Sequence, residues 1–312
     1  MRIRFCLVQA LVLTGLASTP SICHAEAGPL GPLVTVSQFT SQPPSVPIRI
    51  LEVGQDRASF AKAHLPRAVF VDWVSDIIDP EKVDRYNIID QVAMEALLGR
   101  LGIARHTHVV LYDNLSSRLA TRMYWSMKYY GHDRVHVLDG GRSAWVSAGY
   151  RLTAEEMRVT ATQYRIGKVN NEYLVDMNFI RSSLDEPTVQ LLDGRPPTQF
   201  SGEEIGRVFH TGKPHKNRGH IPGAVNVFWK DNFNEDGTFR SVDALRKLYR
   251  ERGLERGGTV VTYCNEGLHA APPWFVMKEL LGFDDVRVYD DSMSEWANEP
   301  LPIESDSALS RK

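Results

Sequence analysis

The sequence predicts an α/β protein made of two tandem copies of one unit, each an open, mostly parallel sheet with helices on both faces. Two observations predict this. Val109–Trp145 aligns on Val260–Trp296 without a gap at a constant offset of 151, sharing Tyr112/Tyr263, Asn114/Asn265, Gly131/Gly282, Val135/Val286, Asp139/Asp290 and Trp145/Trp296. Within each copy, short β-rich runs alternate with helical stretches, the pattern of strands joined by crossover helices. A long gapless match at one offset argues for two domains of one fold rather than a many-repeat solenoid.

The elements follow in order. "RILEV" (Arg49–Val53) and "AHLPRAVFV" (Ala63–Val71) of the first copy resemble "VQLLDGR" (Val189–Arg195) and "GHIPGAVNV" (Gly219–Val227) of the second. "GTVVTY" reads as a strand after a glycine pair. "PPWFVMKELLGF" reads as a helix, because two prolines fit only its first turn and Gly282 closes it. "VRVYD" is the next strand. Thr153–Asn171 is polar and weakly periodic, which places the join there. The expected division is 26–155 for the first domain, 156–173 for a linker, 174–304 for the second domain and 305–312 for a disordered tail.

The amino terminus reads MRIR, an apolar run FCLVQALVLTGLAS, then a Cys23-x-Ala25 small-residue site, which describes a secretory signal peptide over 1–25. The expectation is export to the periplasm or beyond the cell. Cleavage removes Arg2 and Arg4, leaving 34 basic against 38 acidic residues, a formal charge of −4. So mild a balance gives no argument for nucleic acid or for a membrane surface. No later apolar run is long enough to span a bilayer. Cleavage also removes Cys6 and Cys23, so Cys264 becomes the only cysteine and no internal disulfide can form.

The repeat supplies a control for that cysteine. Its counterpart is Asp113, so the fold itself does not require a thiol there. Cys264 follows a strand directly, and ligands of open parallel sheets collect at strand carboxyl ends. The loop that follows can turn several N–H groups toward one point, which predicts a depressed thiol pKa. Gly267 permits a positive φ or the close approach of an anion.

With "LLDGR" (Leu191–Arg195), "GHIPGAV" (Gly219–Val225), "CNEGLHA" (Cys264–Ala270) and "VYDDSMSEW" (Val288–Trp296), the chain resembles the tandem-domain rhodaneses, sulfurtransferases of the thiosulfate and mercaptopyruvate type. The resemblance implies that Cys264 takes the outer sulfur of a donor as a persulfide and passes it to a thiol or other thiophilic acceptor, without metal or organic cofactor. It implies a loop site of Asn265, Glu266, Gly267, Leu268, His269 and Ala270, with Arg195 on the donor's anionic group, and a silent first domain. His64 and His220, Asp290 and Trp296 occur in both copies and read as structural. Arg207, Lys213, Lys216 and Arg218, in a stretch without acidic residues, form either a basic lip or a solvated face.

Three departures matter. Glu266 stands where thiosulfate-type loops carry Lys, His269 where the loops carry Thr, and Gln199 where a second Arg is expected. A carboxylate beside an anion site penalises a dianionic donor and raises the thiol pKa. A phosphatase or arsenate reductase needs Arg six residues after the cysteine, and Ala270 stands there. A non-catalytic sulfur carrier or binding module using the same persulfide site is the remaining alternative.

Overall fold

The structure, a computed structural model, describes residues 29–82, 87–208 and 211–306. The signal peptide and residues 307–312 of the tail lie outside the described residues. The first domain runs β1 (Leu33–Val34), α1 (Val36–Thr40), β2 (Ile48–Gly54), α2 (Arg57–Lys62), β3 (Ala68–Asp72), α3 (Gln91–Arg100), β4 (His108–Tyr112), α4 (Arg118–Tyr129), β5 (Val135–Leu138) and α5 (Gly141–Ser147). The second runs β6 (Leu174–Val175), α6 (Met177–Ser183), β7 (Val189–Asp193), α7 (Pro197–Phe200), β8 (Val225–Asn226), α8 (Val242–Glu251), β9 (Thr259–Tyr263), α9 (Ala271–Phe275), β10 (Asp285–Tyr289) and α10 (Ser292–Trp296).

Each sheet has five strands, in order β1-β5-β4-β2-β3 and β6-β10-β9-β7-β8, and every pairing is parallel. The two orders are the same order, so the repeat read in the sequence is a repeat of topology. Successive strand residues point to opposite faces. Leu51, Val53, Val109 and Leu111 therefore enter one core with Leu97, Met123 and Trp125, while Ile50, Val110 and Tyr112 enter another with Phe60 and Trp145. In the second domain Val261, Tyr263 and Tyr289 pack with Ile180, Met293 and Trp296 on the outer face.

The inner faces of both sheets share one continuous core. The repeat-equivalent helices α4 and α9 meet there, with Tyr124 edge-on to Phe275 at 4.8 Å between ring centroids. Two interdomain hydrogen bonds are also related by the repeat. Phe239 N–H donates to Asp139 Oδ1 at 2.8 Å, and Ile88 N–H donates to Asp290 Oδ2 at 2.9 Å. Residues 88 and 239 stand 151 apart, as do 139 and 290. One contact breaks the symmetry. Arg122, fully buried on α4, pairs with Asp290 at 2.5 Å, and its repeat position holds Pro273.

The connecting segment lies along the first domain. Thr162 N–H bonds to Gly99 O, Ile166 N–H to Glu95 Oε1 and Asn170 N–H to Tyr129 O, while Tyr164 is buried against His132. His64 and His220 do the same work in the two copies. Each accepts a stacked phenylalanine (Phe60 at 3.9 Å, Phe200 at 3.7 Å) and pairs its Nδ1 with that residue's carbonyl. At the carboxyl end Ser305 Oγ donates to Ser201 O, so order extends into the first residues of the expected tail. Among the described residues no helix is long and apolar enough to cross a membrane.

Candidate active site

Cys264 leaves the carboxyl end of β9 and has no exposed surface. Its loop is held from α10. Ser292, at φ 53°, accepts the N–H groups of Cys264 (3.1 Å) and Gly267 (3.0 Å), while Met293 N–H donates to Cys264 O. Ser294 bonds Asn265 O through both its N–H and its hydroxyl. Gly267 sits at φ 78°, and a Cβ there would collide with Asp290, so this position requires glycine. Leu268 and Ala270 are buried behind the loop. The Cys264 Sγ accepts His269 N–H at 3.2 Å.

The thiol is not activated in this state. Burial, followed by the nearby charge of Glu266, pushes its pKa up to about 12, against the lowering effect of the Glu266 and His269 N–H groups. This corrects the expectation of a depressed pKa. The amides are present, but removal of the thiolate from water outweighs them. Glu266 is 3% exposed, so its carboxylate lies inside the protein beside the thiol rather than in solvent.

Arg195 is 1% exposed and bound to its own strand end. Its Nε reaches both Asp193 oxygens at 3.0 Å, and its Nη2 donates to Asp193 Oδ2 at 2.6 Å and to Gly219 O at 2.7 Å. It lies near enough to feel a charge on Cys264 once the thiol ionises, but this edge of the guanidinium is already occupied. Asn265 looks away from the sulfur. Its Nδ2 donates to Gln199 Oε1 at 3.0 Å, and its Oδ1 accepts His215 Nε2 at 3.1 Å. His215 is buried and neutral, its pKa pushed down to about 4 chiefly by burial. In the basic stretch, Arg207, Lys216 and Arg218 bond the carbonyls of Gly212, Asn298 and Glu203 at the surface.

His269 faces the other domain. Its ring lies flat on Trp229 (4.9 Å between centroids, 8° between planes), and its Nε2 meets Arg118 Nη1 at 3.2 Å. Burial, with Arg118 and Lys230 close by, pushes its pKa down to about 3, so it is the neutral acceptor for Arg118.

The first domain's equivalent loop shows what the backbone can hold. Asp113 Oδ1 accepts the N–H groups of Leu115 (2.7 Å) and Ser117 (2.9 Å), and Oδ2 those of Leu119 (2.7 Å) and Ala120 (2.9 Å). Four amides converge on a carboxylate two bonds beyond Cβ.

Residues 38–148 and 178–299 each match the rhodanese-like domain. The chain belongs to the rhodanese-like family. A protein of Haloferax volcanii with the provisional name thiosulfate sulfurtransferase is 34% identical over 84% of this chain and 90% of its own length. One of Mycobacterium leprae, with the same provisional name, is 34% identical over 87% and 97%. Among solved structures, a variant of EanB in complex with ergothioneine superposes with a TM-score of 0.77 at 23% identity, over 92% of this chain and 74% of that one. The anaerobic ergothioneine biosynthesis enzyme of Chlorobium limicola, in complex with trimethyl histidine, gives 0.76 at 22%, over 92% and 75%. At such identities these structures show the fold alone.

Sequence reasoning missed Arg118, Trp229 and His215. The signal for Arg118 was within reach, because 118 and 269 are repeat-equivalent positions, and in the rhodanese fold found here the two loops turn those positions toward each other.

Proposed function

We propose that the protein is a sulfurtransferase that moves a sulfane sulfur from a donor such as thiosulfate to a thiophilic acceptor through a persulfide on Cys264. The observation that supports this most is the Asp113 cradle. The outer sulfur of a cysteine persulfide (Cβ–Sγ–Sδ) stands two bonds beyond Cβ, as each oxygen of an aspartate side chain (Cβ–Cγ–Oδ) does. That sulfur would therefore fall where the repeat-equivalent loop concentrates four N–H groups on an anion. The sulfurtransferase names of the relatives point the same way.

In the first half-reaction the Cys264 sulfur attacks the outer sulfur of thiosulfate. A new S–S bond forms, the donor's S–S bond breaks, and sulfite departs with its electron pair while the thiol proton passes to sulfite or water. The acceptor then attacks the outer sulfur of the persulfide and returns Cys264 to a thiolate. Two easier displacements replace one difficult transfer. The amino-terminal segment supports placing this chemistry in an exported protein, which the mass of the mature chain tests directly.

The decisive experiment is steady-state sulfur transfer across several donors, with Cys264→Ser as control and intact mass after donor treatment. Turnover with a one-sulfur adduct that disappears in Cys264→Ser is expected. An adduct that forms once and never turns over would favour the sulfur-carrier alternative. No adduct from any donor would sink both.

A further inference from the structure

Resting on the sulfurtransferase reading, we propose that the silent domain supplies the receptor for the donor's anionic head. In this proposal the Arg118 guanidinium, reaching across from α4, binds the sulfonate end of thiosulfate while Cys264 attacks its outer sulfur.

Arg118 stands one step past the Asp113 loop and within electrostatic reach of both Asp113 and Cys264. It is half-buried, with its guanidinium 5.6 Å over the Trp229 ring and Nη1 against His269. Its Nε is buried and has no hydrogen-bond partner, an unsatisfied cationic donor beside His269 of the thiol loop. Such a group costs free energy until an acceptor arrives. Asp113 does not fill that need, because its oxygens are saturated by four backbone N–H groups. Among the described residues Arg118 makes no salt bridge.

The neighbouring cations already have partners. Arg195 is bound by Asp193 and Gly219 O, and Arg122 by Asp290. Lys230 lies over the rings of Phe228 and Trp229. The loop itself contributes Glu266 where a cation would help. A planar guanidinium can offer two parallel donors to two sulfonate oxygens, which a point charge cannot match.

The test uses the full chain with two donors: thiosulfate, and a benzyl hydropersulfide whose leaving group has no sulfonate. Arg118→Gln is expected to raise KM for thiosulfate on the order of 10- to 100-fold, the range for losing a charge-assisted bond. The efficiency ratio of thiosulfate to hydropersulfide should fall by about tenfold or more. Arg118→Lys should recover part of the loss. If Arg118→Gln does not fold, Arg118→Lys alone should raise KM for thiosulfate severalfold. An unchanged thiosulfate KM in a folded variant, or equal losses with both donors, would overturn the assignment while leaving Cys264 chemistry intact. Failure of the unmodified protein to load sulfur from either donor would instead overturn the sulfurtransferase reading on which the proposal rests.

Discussion

The Asp113 loop and the Cys264 loop leave equivalent strands with opposite contents. In the first, a permanent carboxylate occupies the backbone cradle and satisfies four N–H groups. In the second, a shorter neutral thiol accepts His269 N–H, the counterpart of an amide that Asp113 does not use, and lies beside Glu266 N–H, the counterpart of Leu115 N–H. The second cradle is thus less filled at rest, and in the proposed reaction an added sulfur would complete it. The comparison teaches that backbone geometry alone does not make a reactive loop. The first copy has the geometry and no nucleophilic sulfur, and the second has the thiol and keeps it protonated.

The largest effect expected from breaking this comparison is Cys264→Ser, which should abolish sulfur loading to below detection by intact mass. Next is the asymmetric tie between the copies. Arg122→Ala leaves Asp290 buried without its charged partner and should cost about 3–5 kcal/mol of stability in urea unfolding. Because Asp290 sits against Gly267, the loop should loosen as well, and Cys264 should alkylate faster. Asp113→Ala should cost about 3 kcal/mol in the same assay, since buried N–H groups lose their acceptor. Little loss there would mean that the cradle refills with water, and the analogy to a persulfide would weaken.

The smallest effects sharpen the comparison at the thiol. With a pKa pushed up to about 12, the thiolate fraction of Cys264 is small at neutral pH and grows with each unit toward alkali. Iodoacetamide alkylation should therefore accelerate about tenfold per pH unit from 7 to 9. A plateau near neutrality would show a thiolate already present. Glu266→Gln removes the second-largest cause of the raised pKa and should speed alkylation at pH 8 by roughly tenfold.

Much of the fold was legible in the sequence. Val260–Val261 and Val286–Val288 read as strands because β-branched runs bounded by glycine and turns have few other uses, and the 151-residue offset carried that reading to the other copy. Gly267 was legible because a loop that must approach another residue closely tolerates no Cβ. Arg195 was legible only in part. Its place at a strand end could be read, but not that Asp193, two residues before it, folds back and occupies it. Charge alone does not reveal which partner a guanidinium finds first.

The sequence by itself determined the chemistry on offer: one thiol in the predicted mature chain, at a strand end, with an aspartate in its place in the sister copy. Tertiary structure decided the state of that chemistry. Burial set the thiol's pKa against its own loop amides, because desolvation depends on every residue packed around the sulfur and not on its neighbours in the chain. Tertiary structure also brought Arg118 to His269. They stand 151 residues apart, and only the packing of α4 on α9 places one domain's cation against the other domain's thiol loop.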